Sequence, residues 1–224
     1  MSEGFKLSRR RLLETSLALG GALFFGPLGS SALARSAKLK PTSEQAMGPF
    51  YPVLKPADQD ADLTAIRGKA GKAQGPSLRL TGRVLNLKGQ PVAGAQVEIW
   101  QANTAGRYTH PGDRNPAPLD PNFEGYGVVI TDSKGEYSFK TVKPGPYPAE
   151  EGWMRPPHIH FQVTAQANRL VTQMYFPGEP LNEKDRIFRT AADKESLLVK
   201  LAPAPQDAEP GALLAVWDIV LPRT

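Results

Sequence analysis

Three histidines occur in the 224-residue chain, and two of them, His158 and His160, flank a single isoleucine. On a β-strand, residues two apart share a face at a separation of about 6–7 Å, so both imidazoles can close on one metal ion. Two ligands do not complete a site. Asp113, Asp120, Glu124, Glu150 and Glu151 are acidic candidates for a zinc or carboxylate-iron centre, and none has a distinctive spacing. Tyr108 and Tyr147 stand out because each lies beside turn-forming residues in a long segment rich in Gly, Pro, Asp and Asn. A phenolate is a hard anionic oxygen donor and favours a highly charged cation such as ferric iron over zinc. The same residues also fit satisfied structural histidines and packed tyrosines with hydrogen-bonded hydroxyls. The absence of cysteine excludes disulfides, thiolate metal sites and cysteine nucleophiles.

Strands must hold these groups. Residues 78–87 and 95–100 alternate apolar and polar side chains around Lys88-Gly89-Gln90 and read as an antiparallel pair. A second hairpin-like pair is 127–131 with 136–142, joined by Asp132-Ser133-Lys134-Gly135. Residues 158–165, 170–176, 197–201 and 213–221 continue the series, and a short helix fits within 183–193. About eight short strands, with 22 prolines and 21 glycines for the turns, predict an all-β sandwich. The segments 104–126 and 144–157 read as long loops that carry the chemistry. Residues 35–77 show no sustained period and read as an N-terminal arm over a catalytic domain spanning 78–224. Trp100 and Trp217 fit the strand pattern as core, Trp153 is a candidate border of a substrate pocket, and His110 reads as an exposed loop residue.

The first 34 residues have a different character. Ser8-Arg9-Arg10-Arg11 precedes the apolar run 17–28 and the small-x-small site Ala32-Leu33-Ala34, the layout of a secretory signal. The paired arginines resemble the twin-arginine type, which predicts export by that machinery to a periplasmic or secreted destination; an uncleaved membrane anchor is the alternative. This segment contributes +2 of the chain's net +5. The remaining charge is scattered, with no basic stripe interleaved with aromatics, so nucleic acid is not an expected partner.

Read in order, Gly48-Pro49-Phe50-Tyr51-Pro52, the run 95–103 leading to Gly106-Arg107-Tyr108, Pro144-Gly145-Pro146-Tyr147-Pro148, Arg155-Pro156-Pro157-His158-Ile159-His160-Phe161 and Thr172-Gln173-Met174-Tyr175-Phe176 resemble the successive motifs of intradiol ring-cleavage dioxygenases. The likeness covers about residues 45–190. It is greater to the protocatechuate 3,4-dioxygenase branch than to the catechol 1,2-dioxygenases, because residues 35–77 are too short and proline-rich for a helical dimerisation region. The resemblance implies one mononuclear non-haem Fe(III) per chain held by Tyr108, Tyr147, His158 and His160. Two phenolates and a hydroxide would then cancel the charge of the ferric ion, which eases its burial. It further implies cleavage of a catechol-type ring with O2 to a muconate-type diacid, with Tyr147 released when substrate binds. Arg155 would stabilise negative charge on the ring and Gln173 would orient the substrate. A homo- or hetero-oligomer is compatible with it. The residues around Gly89, Asp132–Phe139 and Tyr147 also resemble transthyretin-like and carboxypeptidase-regulatory-like modules, a non-enzymatic alternative that lacks the tyrosine and histidine set.

Overall fold

The computed structural model describes residues 38–206 and 208–222. Among these, the strands are β1 (Ser77–Leu85), β2 (Gln96–Trp100), β3 (Tyr126–Ile130), β4 (Glu136–Val142), β5 (Tyr147–Glu150), β6 (Trp153–Arg155), β7 (His158–Ala165), β8 (Asn168–Tyr175), β9 (Leu201–Pro203), β10 (Leu213–Val216) and β11 (Ile219–Val220). One turn of α-helix, α1 (Arg186–Arg189), lies between two 3-10 turns at Asn182–Lys184 and Glu195–Leu197. The export segment proposed for residues 1–34 lies outside the described residues.

Two sheets build an all-β sandwich. In the first, β4 pairs antiparallel with one side of β1, while β10 and β11 pair in parallel with successive halves of its other side and β9 extends beyond β10. The second is antiparallel throughout, in the order β3-β2-β7-β8. Leu78, Leu80 and Val84 of β1, Tyr137 and Phe139 of β4, Val97 and Ile99 of β2, and Ile159, Phe161 and Val163 of β7 are buried together. Each such aliphatic or aromatic side chain contributes about 1.5–3 kcal/mol on burial.

The pairing departs from the hairpins that the alternation suggests. The turn after β1 does form, with Asn86 N–H donating to Gln90 O (2.9 Å) and Val92 N–H to Val84 O (2.8 Å). The chain then crosses, and β1 and β2 lie in opposite sheets, as do β3 and β4. Each of these four strands turns apolar residues toward the core, and these are buried against one another across the sandwich. The 197–201 stretch is a 3-10 turn followed by β9, and 213–221 is split into β10 and β11 at Trp217-Asp218. The 144–157 segment is not a plain loop: it contains the β5–β6 hairpin, a two-stranded sheet of its own in which Tyr147 pairs with Arg155. Residues 38–76 form no named strand or helix and lie across the domain through bonds such as Gln45 N–H to Val171 O and Val128 N–H to Gln59 O.

Candidate metal centre

The period of two along β7 divides its side chains between two environments. Ile159, Phe161 and Val163 enter the sandwich core, so His158, His160 and Gln162 take the opposite face. Register carries that face across the sheet: His158 stands opposite Tyr175, His160 opposite Gln173, and Trp100 of β2 opposite His160. The outer face is nonetheless buried, because the arm and the two long segments cover it. His158, His160, Gln173 and Tyr175 are all at most 2% exposed. The Trp100 ring stacks on His160 with centroids 4.9 Å apart and planes 10° from parallel.

The tyrosines arrive from the long segments. Asn103 Oδ1 accepts from the Ala105 and Arg107 amides (2.9 Å each), and Asp113 Oδ2 accepts from Tyr108 N–H (2.8 Å), so the Tyr108 backbone is stapled on both sides. The two segments then meet closely: Gly145 N–H donates to Asn103 O (3.0 Å), and a Cβ on Gly106, at φ +80°, would overlap the Pro146 carbonyl. That approach brings the Tyr108 and Tyr147 rings to 5.3 Å at 86°. Phe50 of the arm packs on both, at 4.7 and 5.8 Å.

The ring nitrogens are set by chemistry. His158 Nδ1 lies 2.7 Å from Pro156 O, and a carbonyl only accepts, so Nδ1 carries the proton and Nε2 presents a lone pair. That Nε2 faces His160 Nε2 at 3.2 Å. Burial, then the Arg155 charge, holds both imidazoles well below their usual pKa, so they are neutral, the form in which imidazole ligates metals. Tyr108 Oη is buried with no hydrogen-bond partner, a loss of about 1–3 kcal/mol. Burial, and next the adjacent Tyr147, pushes its pKa well above that of a free phenol; burial also raises Tyr147, against the pull of Arg155. Two neutral imidazoles and two phenols, one of them orphaned, fit a hard, highly charged cation, which on binding would displace the phenolic protons.

Carboxylates take no part in this centre. Among the described residues no group of three or more His, Asp or Glu gathers in ligating range. Asp113 staples the Tyr108 loop, Asp120 accepts from the Gln74 and Asn122 amides, and Glu150 pairs with Arg186 at 3.0 Å. Glu151 is exposed near the hairpin tip. Glu124 lines a cavity of about 300 Å³ that Phe50, Trp100 and Tyr108 also border, and burial with Asp58 and Asp60 nearby raises its pKa to about 7. Trp100 and Trp217 are buried as expected. Trp153 is half-buried with Arg186 over its ring at 4.8 Å, and His110 is half-buried against Phe50 rather than exposed.

Arg155 stands beside the four donors, its Nη1 3.0 Å from His158 Nε2 and 3.4 Å from Tyr147 Oη. The rest of the guanidinium is engaged: Nη2 reaches Gln173 Oε1 (2.7 Å), Tyr175 Oη (2.9 Å) and Asp185 Oδ2 (2.9 Å), and Nε reaches Asp185 Oδ1 (3.3 Å). Gln173 is held at both ends, its Oε1 accepting also from Tyr175 Oη (2.8 Å) and its Nε2 donating to Ala46 O at 2.6 Å, which leaves one N–H free among the described residues. Asp185 and Tyr175 are functional neighbours that the sequence reading did not single out. Asp185 had one legible signal, an acidic residue at the N-cap of a short helix, and its carboxylate does accept from the Ile187 and Phe188 amides. Gly48 is a third: a Cβ there would lie 3.1 Å from His160 Cε1, and its φ is +73°. Arg114 is exposed, and Arg107 lies 3.8 Å from Asp113.

Known proteins share this arrangement of chain. The family described as Dioxygenase matches residues 46–223. The protocatechuate 3,4-dioxygenase beta chain of Burkholderia cepacia is 44% identical over 190 residues, covering 81% of this chain and 80% of that one. A hydroxyquinol 1,2-dioxygenase of Rhizobium sp. is 32% identical over 166 residues, 68% of this chain but only 52% of that protein. Among solved structures, the dioxygenase domain of a dioxygenase carbohydrate-binding protein fusion from Streptomyces sp. SirexAA-E superposes with a TM-score of 0.62 at 27% identity, covering 83% of this chain and 100% of that one. A match over most of the chain, with relatives that are ring-cleaving enzymes, decides against the non-enzymatic module and places this chain in the intradiol ring-cleaving dioxygenase family.

Proposed function

We propose that the chain holds one non-haem Fe(III) through Tyr108, Tyr147, His158 and His160 and that its substrate is a catechol-type aromatic, with protocatechuate first among the candidates. One observation carries the metal reading: two neutral imidazoles and two phenols converge with no carboxylate among them, and the Tyr108 hydroxyl is buried without a partner. The similarity to the Burkholderia cepacia beta chain supports protocatechuate. When bound, the ferric ion would supply Lewis acidity that favours loss of both catechol hydroxyl protons, giving the electron-rich dianionic form of the ring.

The residues of the chain do the rest. Tyr147 Oη, on the hairpin, would be one of the four donors to the ion and the base that takes up a substrate hydroxyl proton, with Arg155 Nη1 donating to it at 3.4 Å. Arg155 presents fixed positive charge where negative charge develops on the ring, and needs no reorganisation to do so. Gln173, whose Oε1 accepts from Arg155 Nη2 and whose Nε2 keeps one N–H beyond the bond to Ala46 O, would orient the substrate. His158 is kept in its ligating tautomer by Pro156 O. Phe50, Trp100 and Tyr108 supply apolar walls that exclude water.

The proposal extends to the ends of the chain: residues 1–34 are a twin-arginine signal, residues 35–77 are an arm, residues 78–224 are the catalytic domain, and the enzyme works outside the cytoplasm as a homo- or hetero-oligomer. The test is to purify the mature chain after expression with iron, determine metal content, and measure oxygen uptake with catechol, protocatechuate and hydroxyquinol. One iron per chain, a visible phenolate charge-transfer band and fastest uptake with protocatechuate are expected. Zinc, copper or no metal overturns the ligand assignment, and a preference for either other substrate overturns protocatechuate.

A further inference from the structure

On the outer face of β2, two residues before Trp100, lies a buried carboxylate that none of the roles above uses. Glu98 is 2% exposed and is surrounded by donors. Tyr51 Oη (2.7 Å), Tyr126 Oη (3.0 Å) and Lys55 Nζ (3.2 Å) reach its Oε2, while Gln96 and Gln162 (3.3 Å) donate to Oε1. Burial alone would raise its pKa, but the hydrogen bonds from Tyr51, Tyr126 and Lys55 outweigh it and hold the carboxyl below its ordinary value. Three of these donors belong to the sheet. The other two, Tyr51 and Lys55, belong to the arm.

The arm segment fastened there is the one that touches the metal centre. Gly48 lies against His160, where a Cβ would come within 3.1 Å of Cε1. Phe50 packs on Tyr108 and Tyr147. The Tyr51 ring meets Trp100 edge-on at 5.0 Å and 89°, and Trp100 stacks on His160. Two mechanical routes therefore run from Glu98 to a ligand ring, one through Tyr51 and Trp100 and one along the arm backbone to Gly48 and Phe50.

We infer that Glu98 is a positioning residue for the metal centre: it fastens residues 48–55 to the outer face of β2, so that Gly48, Phe50 and Trp100 hold the rings of His160, Tyr108 and Tyr147 in place. The inference rests on the four-donor reading above. It separates Glu98 from a buried ion pair that merely stabilises the sheet, because a merely structural role leaves the ligand rings untouched.

The experiment uses the full mature chain with Glu98→Gln, Tyr51→Phe and Lys55→Met. Amide hydrogen exchange is followed in residues 48–56 and in β1 and β4, and iron release to a chelator is followed by the visible band. For Glu98→Gln, exchange in 48–56 and iron release should each quicken at least tenfold, with β1 and β4 unchanged; Tyr51→Phe and Lys55→Met should move both in the same direction by less. Faster arm exchange with iron release as in wild type overturns the inference, and so does faster exchange in β1 and β4 to the same degree as in the arm. If Glu98→Gln does not fold, Tyr51→Phe decides by the same two readouts. A wild-type chain that takes up no iron overturns the metal reading and this role with it, whereas a wild type with the band and an unaffected Glu98→Gln overturns this role alone.

Discussion

The Arg155 guanidinium lies 3.0 Å from His158 Nε2 and 3.4 Å from Tyr147 Oη, where an uncompensated positive charge would repel any cation bound beside it. Asp185 supplies the compensation from a fully buried position, through two contacts to Nε and Nη2. Removing one partner of such a pair costs about 3–5 kcal/mol, because the other charge is left buried alone. Asp185→Asn isolates that effect, since Asn caps α1 about as well as Asp. The variant should lose several degrees of melting temperature, hold iron about tenfold more weakly, and turn over ten- to a hundredfold more slowly. Thermal unfolding, chelator competition and oxygen uptake measure the three, and a variant with lowered melting temperature but wild-type iron affinity would return Asp185 to a structural role. The convergence of His158, His160, Tyr108 and Tyr147 was legible because residue type and motif marked them out together. Asp185 was not, because its partner is 30 residues away and its own neighbourhood shows only a helix cap.

Tyr108 and Tyr147 stand on supports of different stiffness. Tyr108 is stapled through Asn103 and Asp113 in a loop whose backbone amides are satisfied locally. Tyr147 opens the β5–β6 hairpin, which belongs to neither large sheet and carries a register shift between Pro148 and Glu150. It is moored by Arg155 to Asp185, by Glu150 to Arg186, and by Trp153, whose ring has Arg186 at 4.8 Å. Two-stranded ribbons are only marginally stable by themselves, so these moorings set its freedom. Tyr147 is therefore expected to be the donor that substrate displaces. When a catechol-type substrate is added without oxygen, the visible spectrum of wild type should converge on that of Tyr147→Phe and remain distinct from that of Tyr108→Phe. Convergence of all three, or a wild-type spectrum that does not change, would contradict the assignment. The hairpin itself was not legible in the sequence: prolines at 144, 146 and 148 and Gly152 signal turns, and nothing in a four-residue and a three-residue strand establishes a period.

The molecule keeps stability and chemistry on opposite faces of the same sheet. Odd-numbered residues of β7 fill the sandwich, even-numbered ones take the other face, where His158 and His160 line the site, and this division follows from alternation alone, which is why the all-β architecture and the His158–His160 pairing were readable. Strand partners were not readable, because alternation specifies which face is buried and not which strand lies alongside. The separation can be tested with two glycines. Gly82 of β1 lies against the Trp217 carbonyl, which accepts from Tyr137 Oη (2.7 Å), and the Trp217 ring packs on Phe161 at 4.8 Å. A methyl at Gly82 would overlap that carbonyl, and because the obstruction is backbone it must push the C-terminal strands from β1, at a cost above the ~1–3 kcal/mol usual for overpacking. Gly48→Ala instead presses on His160 from the arm, with about 1–2 kcal/mol of backbone strain at its positive φ. Gly82→Ala therefore costs more stability than Gly48→Ala, and the site should respond in the opposite order. Gly82→Ala should unfold several degrees early yet retain its iron and a wild-type visible band up to the transition, whereas Gly48→Ala should lose iron several-fold faster to a chelator at temperatures where it is fully folded. Equal iron release from the two variants under folded conditions would show that core and site are coupled through the sheet rather than divided by it.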